Sequence, residues 1–412
     1  MDLQLLREYA DFAVKVGVNV QPGQTLIVQA PVESAGFARM CAAAGYEAGA
    51  ARVLVRYRDE QLSRLDMEKA EESVLCDNKP WLLRSYLDYA EAPGGVCLLH
   101  ITDENPELYK GLDAGKVNRV SLARQAALRP WQAYTMSNRV QWCIVAVPSP
   151  AWAGKVFPDL PETEAVEALW QRIFTACRVQ PGRSVTEAWR EHVVAMAARR
   201  DALNALGLVR VRMTTPEGTD LTVGLADDAV WAGANSTTPA GADFIANIPT
   251  EEVFTAPHRD KVDGVVKGTK PFVYNGQLVE DFTLWFEKGK AVRCAARVGE
   301  QPLKEMLASD EGASHIGELA LVPASSPINQ AGVLFYNTLF DENAACHIAF
   351  GEGYPENIRG GVTMEKPALA AKGLNQSDIH EDLMVGSATM TVTGWTADGR
   401  EVPIFEKGEW VL

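Results

Sequence analysis

The chain has 412 residues, 47% hydrophobic and 23% charged, with a formal net charge of -15. That length is enough for two or three domains and a large core, and the balance is ordinary for a globular protein in water. So large an excess of acid argues against nucleic acid or an anionic membrane as partner, since either requires a basic face.

Residues Met1 to Val20 carry acidic side chains at amphipathic spacing. They lack a basic start followed by an apolar run, so no signal peptide is expected. No stretch has the run of apolar residues needed to span a bilayer. Seven cysteines stand singly, with no CxxC pair. An odd, dispersed set predicts reduced thiols, mostly buried, and a cytoplasmic location.

The first half alternates helix and strand patterns. Leu3 to Val16 has helical spacing, broken by Pro22-Gly23. Thr25 to Gln29 reads as a strand, Glu33 to Ala48 as a helix, and Arg52 to Tyr57 as a second strand. Another helix begins near Asp59. Gly95 to Ile101 and Val140 to Val147 are further strands, with helical patterns between them. Strands separated by helices imply an open parallel sheet covered on its faces. No G-x-G-x-x-G follows the first strand, so a dinucleotide site has little support.

Glu162 to Val179 and Val185 to Leu206 read as long helices leading into a second domain. From Val209 the character changes. Val209 to Thr214 and Leu221 to Gly224 form a hairpin about Pro216-Glu217-Gly218. Lys267-Gly268-Thr269, Tyr274-Asn275-Gly276-Gln277 and Glu287-Lys288-Gly289-Lys290 are turn signals between strand-like runs. Gln301 to Ser309 is one of few helices, and hairpins close the chain. The expectation is therefore an N-terminal α/β domain, residues 1–185, with a parallel sheet. A β-rich α+β domain, residues 186–412, follows.

Four segments carry chemistry. Glu251 and Glu252 are adjacent, just after Pro249; a helix N-terminus capped by Thr250, or a solvated acidic pair, is the plainer reading. Glu318 stands alone in an apolar strand, Gly317 to Val322. An unpaired buried carboxylate is costly, so a cation or metal partner is expected, although an Arg or Lys ion pair or a water-facing edge would serve equally. Asp341, Glu342 and His347 lie in one polar turn region, with Cys346 a bystander. In an extended segment His380 and Asp382 share a face, good geometry for one metal. The chain has only six histidines, and two fall in this carboxylate-rich part. Carboxylate and imidazole are the donors a pair of hydrolytic divalent metals requires.

Taken together, Asn247-Ile-Pro-Thr-Glu-Glu-Val-Phe-Thr255, Gly317-Glu-Leu-Ala-Leu-Val322, Thr338-Leu-Phe-Asp-Glu-Asn-Ala-Ala-Cys-His347 and His380-Glu-Asp-Leu-Met-Val-Gly-Ser387 closely resemble the site segments of the M29 metallo-aminopeptidases, in the same order. The resemblance covers essentially the whole chain. It implies a two-metal site with Glu252, Glu318, Glu342, His347, His380 and Asp382 as ligands, Glu318 lying between the metals. It further implies a catalytic role for Tyr354; Glu318, or else Glu251, is expected to shuttle the proton to the leaving amine, and the role of Glu251 is otherwise open. The metals implied are zinc, cobalt or manganese. Also implied are short peptide substrates trimmed from their N-termini and a homodimer whose sites face an enclosed cavity.

The competing reading is a mononuclear iron ring-cleaving dioxygenase using His347, His380 and Asp382. Glu252, Glu318 and Glu342 are surplus to one iron. A closed structural zinc site fits poorly, since it is normally four-coordinate and often contains Cys. The ten tryptophans read as core or interface aromatics. His192 reads as an exposed position on its helix, His258 and His315 as near neighbours of the first two segments, and His100 as the end of a strand.

Overall fold

The computed structural model describes residues 2–103, 105, 107–274 and 277–412. The turn expected at Asn275-Gly276 lies outside the described residues. The chain forms two compact units, residues 1–190 with 235–249, and residues 191–234 with 250–412. The helix Val185–Leu206 runs through the division between them.

The first unit is built on a parallel sheet. Its strands are β1 (Thr25–Pro31), β2 (Arg52–Arg58), β3 (Val96–Thr102), β4 (Trp142–Ala146) and β5 (Asn247–Ile248), in the order β5-β4-β3-β1-β2. Every pairing is parallel. Leu26, Ile27 and Val28 in the middle of β1 are fully buried, as expected of a strand covered on both faces. The helix after β2 spans Glu60–Lys69, and the Asp59 carboxylate caps it by accepting from the Leu62 N–H. His100 lies within β3 and bonds to Gln29 Oε1 at 3.0 Å; it is part of a polar contact between neighbouring strands.

The second unit holds two antiparallel sheets. The larger contains the hairpin Leu208–Thr214 with Asp220–Leu225, the long strands Pro257–Lys267 and Gln277–Glu287, and the C-terminal strands Thr391–Thr396 and Glu401–Glu406. The smaller consists of β6 (Val253–Thr255), β7 (Ile316–Leu321), β8 (His347–Gly351) and β9 (His380–Met384), in the order β9-β8-β7-β6, with Ala232–Gly233 at the far edge. The helix expected over Gln301 to Ser309 spans Glu300–Leu307.

One apolar core joins the two sheets. Leu319, Leu321, Ile348, Phe350 and Leu383 from the smaller pack with Phe282, Leu284 and Phe286 from the larger. Phe350 stacks on Phe286 with ring centroids 5.8 Å apart. The same strand thus carries His347 at its start and a core anchor three residues on. Phe350→Ala should destabilise the protein by about 3–5 kcal/mol, as emptying a buried aromatic site does. Denaturant unfolding measures it, and a loss below about 1 kcal/mol would show that this aromatic pair does not hold the sheets together.

Candidate metal centre

The register of the smaller sheet brings the expected residues onto one face. Glu318 is paired with Ala349, and Ala349 with Asp382. Cross-strand partners share a face, so the two carboxylates flank the small Ala349 methyl. His347 is two residues from Ala349, and His380 two from Asp382, which puts both imidazoles on that same face. The alternate positions Leu319, Ile348 and Leu383 enter the core. Glu252 immediately precedes β6, and Glu342 opens the 3-10 turn Glu342–Ala344 that leads to β8.

His347 Nε2 lies 3.1 Å from Glu252 Oε2, 3.4 Å from Glu318 Oε1 and 3.9 Å from Asp382 Oδ1. His380 Nε2 lies 3.8 Å from Glu318 Oε2 and 3.6 Å from Asp382 Oδ1. Glu318 therefore turns one oxygen to each imidazole. Nδ1 of His347 meets the Ala345 carbonyl at 3.1 Å, and Nδ1 of His380 meets the Glu352 carbonyl at 2.8 Å. A carbonyl only accepts, so each Nδ1 carries its proton and each Nε2 faces the carboxylates. This is how a metal-binding imidazole is oriented.

The cluster is buried: Glu318 is 4% exposed, Glu252 8%, Glu342 9% and His347 1%. Burial pushes the Glu318 carboxyl up to about 7, against hydrogen bonding from His347. Burial also raises Glu342 well above the usual carboxylate range, and the charges of Asp382 and Glu252 add to it. For the imidazoles burial acts the other way and is overridden. Hydrogen bonds to Glu252 and Glu318 raise His347, while the charge and hydrogen bond of Asp382 bring His380 to about 10. Asp382 is held low despite burial, chiefly by His380. Among the described residues, the ion pairs of Glu252, Glu318 and Asp382 are with these two histidines alone.

Four buried carboxylates against two imidazoles leave excess negative charge inside the protein, and buried charge requires compensation. Oxygen and neutral nitrogen donors with no thiolate suit a hard or borderline divalent ion. Single ligand atoms of Glu252, Glu318 and His347 all lie within 4.8 Å of one another. The residues present thus fit a divalent metal. Tyr354 borders the cluster, its ring centroid 4.8 Å from that of His380. Burial, then the charges of Glu318 and Asp382, raise its hydroxyl well above its ordinary value, so it stays protonated.

The surroundings differ from expectation at two places. Glu251 and Glu252 do not open a helix; the chain runs directly into β6. His192 is not a surface position: its side chain is 11% exposed, and its Nε2 lies 2.8 Å from the Thr250 carbonyl and 3.8 Å from Glu251 Oε2. The signal was present, because His192 stands three residues after Trp189 and four before Met196, both 1% exposed. His258 and His315 take no part in the cluster contacts; His315 bonds to the Arg259 carbonyl at 2.8 Å.

The family model of the thermophilic metalloproteases, M29, matches residues 3–410. Aminopeptidase AmpS of Bacillus subtilis is 42% identical over 409 residues, 99% of each chain. The solved structure of AmpT from Thermus thermophilus matches with a TM-score of 0.91 at 40% identity, covering 99% of both chains. A 2,5-dihydroxypyridine dioxygenase from Pseudomonas putida matches at a TM-score of 0.51 and 10% identity, covering 99% of this chain and 97% of that one, a likeness of fold alone. Fold and relatives together define a metalloprotease. The chain belongs to the M29 family, and it is a hydrolase of the metallo-aminopeptidase class.

A ligand that binds only the folded state stabilises it, by about 2.7 kcal/mol at a free concentration one hundred times its Kd. Stripping metal with a chelator should therefore lower the melting temperature, and adding back a divalent ion should restore it. His347→Ala should remove that response. Identical melting with and without chelator would contradict a metal held by this cluster.

Proposed function

We propose that this protein removes N-terminal residues from short peptides at a dinuclear metal centre. Glu252, Glu318, Glu342, His347, His380 and Asp382 would hold the two ions, zinc, cobalt or manganese. The observation that carries this reading is the placement of Glu318, whose two oxygens face two different imidazoles. So placed, Glu318 could serve an ion held beside either imidazole. When bound, the ions supply Lewis acidity, making water a nucleophile near neutral pH and polarising the scissile carbonyl.

The chain's own residues do the rest. A buried carboxylate, Glu318 or Glu251, takes the proton of the attacking water and returns it to the leaving amine. The Tyr354 hydroxyl, kept protonated, donates a hydrogen bond to the oxyanion that develops on the carbonyl oxygen. The free α-amine of a peptide N-terminus would bind an ion of the centre or an acidic side chain beside it, which limits cleavage to the first residue. The two-histidine, one-carboxylate reading for a single iron leaves Glu252 without a purpose, although it is the carboxylate nearest His347.

Glu318→Gln and His380→Ala should each lower hydrolysis of a leucyl anilide or a dipeptide by at least about 100-fold, with circular dichroism unchanged. Full activity in either variant rejects the assignment. An N-acetylated peptide should resist cleavage, and equal turnover of acetylated and free peptides would show that the α-amine is not what the site reads.

A further inference from the structure

Two acidic segments of the proposed centre come from distant parts of the chain, and one side chain joins them. Asn343 is fully buried. Its Oδ1 accepts from the Glu251 N–H at 2.7 Å, across 92 residues of sequence. Its Nδ2 donates to Glu342 Oε1 at 3.3 Å and to the Leu339 carbonyl at 3.1 Å. Its own carbonyl accepts from Ser326 Oγ at 2.6 Å. The partners dictate the amide's orientation. A backbone N–H requires an acceptor, while a carboxylate and a carbonyl require donors.

We infer that Asn343 is a positioning residue of the metal centre, holding the backbone that presents Glu252 while orienting the Glu342 carboxylate. This rests on the dinuclear reading above. Only an amide of this length meets both demands. Aspartate keeps an acceptor for Glu251 but sets a second carboxylate against Glu342. Serine removes the donor to Glu342 and shortens the side chain. Groups that hold metal ligands from behind fix their orientation, and losing one typically weakens metal binding by about 10- to 100-fold. Asn343 sits next to Glu342 in sequence, yet through its side chain it reaches the segment before β6.

The test is cobalt titration of the metal-free protein, followed by visible absorption, on wild type, Asn343→Asp, Glu342→Gln and the double variant. Asn343→Asp should bind cobalt about 10- to 100-fold more weakly than wild type. In the Glu342→Gln background the same change should cost little, because no carboxylate remains for the aspartate to oppose. Wild-type affinity in Asn343→Asp, or losses that simply multiply in the double variant, overturns the inference. If Asn343→Asp fails to fold, Asn343→Ser is titrated instead; weaker binding supports the role and wild-type affinity overturns it. A wild-type protein that takes up no cobalt overturns the metal reading itself, and the inference with it.

Discussion

The structure of the second unit depends on one electrostatic problem: the carboxylates of Glu252, Glu318, Glu342 and Asp382 are gathered in one largely buried cluster. In a low-dielectric interior, like charges at such range cannot all persist without cations. Without metal the protein meets this with protons. Glu342 is driven toward its neutral form, and His347 and His380 are driven toward their charged forms. Divalent ions would answer the same need more completely. A cluster that is awkward for stability is thereby suited to catalysis, the usual trade at functional sites.

A sheet is a good device for this. Its two faces alternate along every strand, so β7, β8 and β9 carry core side chains outward from one face and ligand-type side chains from the other. A one-residue slip of β8 against β7 would send His347 into the core and Ile348 into the cluster. The apolar face therefore protects the register on which the polar face relies. Ala349, placed between Glu318 and Asp382, keeps their row clear; a larger side chain there would occupy the space between the carboxylates. The Ala345 and Glu352 carbonyls add the remaining constraint by holding each imidazole at Nδ1.

Much of this was legible in the residues themselves. The parallel sheet followed from apolar runs separated by helical spacing, and Asp59 marked the start of its helix. Glu318, a lone carboxylate in an apolar strand, called for a partner, and the spacing of His380 and Asp382 put them on one face; that these converge with His347 was implied by the resemblance of the four segments to the M29 family, not by the residues alone. What was illegible was set by long-range contacts. Local spacing at Thr250-Glu251-Glu252 favours a helix cap, whereas pairing of Val253 with Leu321 imposes a strand. Asn343 reads as one more polar residue in a turn; its bond to Glu251 exists only in three dimensions. The return of residues 235–249 to the first unit likewise leaves no mark in composition, since β5 is two residues long.

The central claim is that the buried acids hold two ions, not one and not none. Elemental analysis of the freshly purified protein, with chain concentration fixed by amino-acid analysis, tests it most directly. Two divalent ions per chain, zinc, cobalt or manganese, in a preparation that hydrolyses a dipeptide, is the result predicted. A single ion per chain at full activity, above all a single iron, would contradict it.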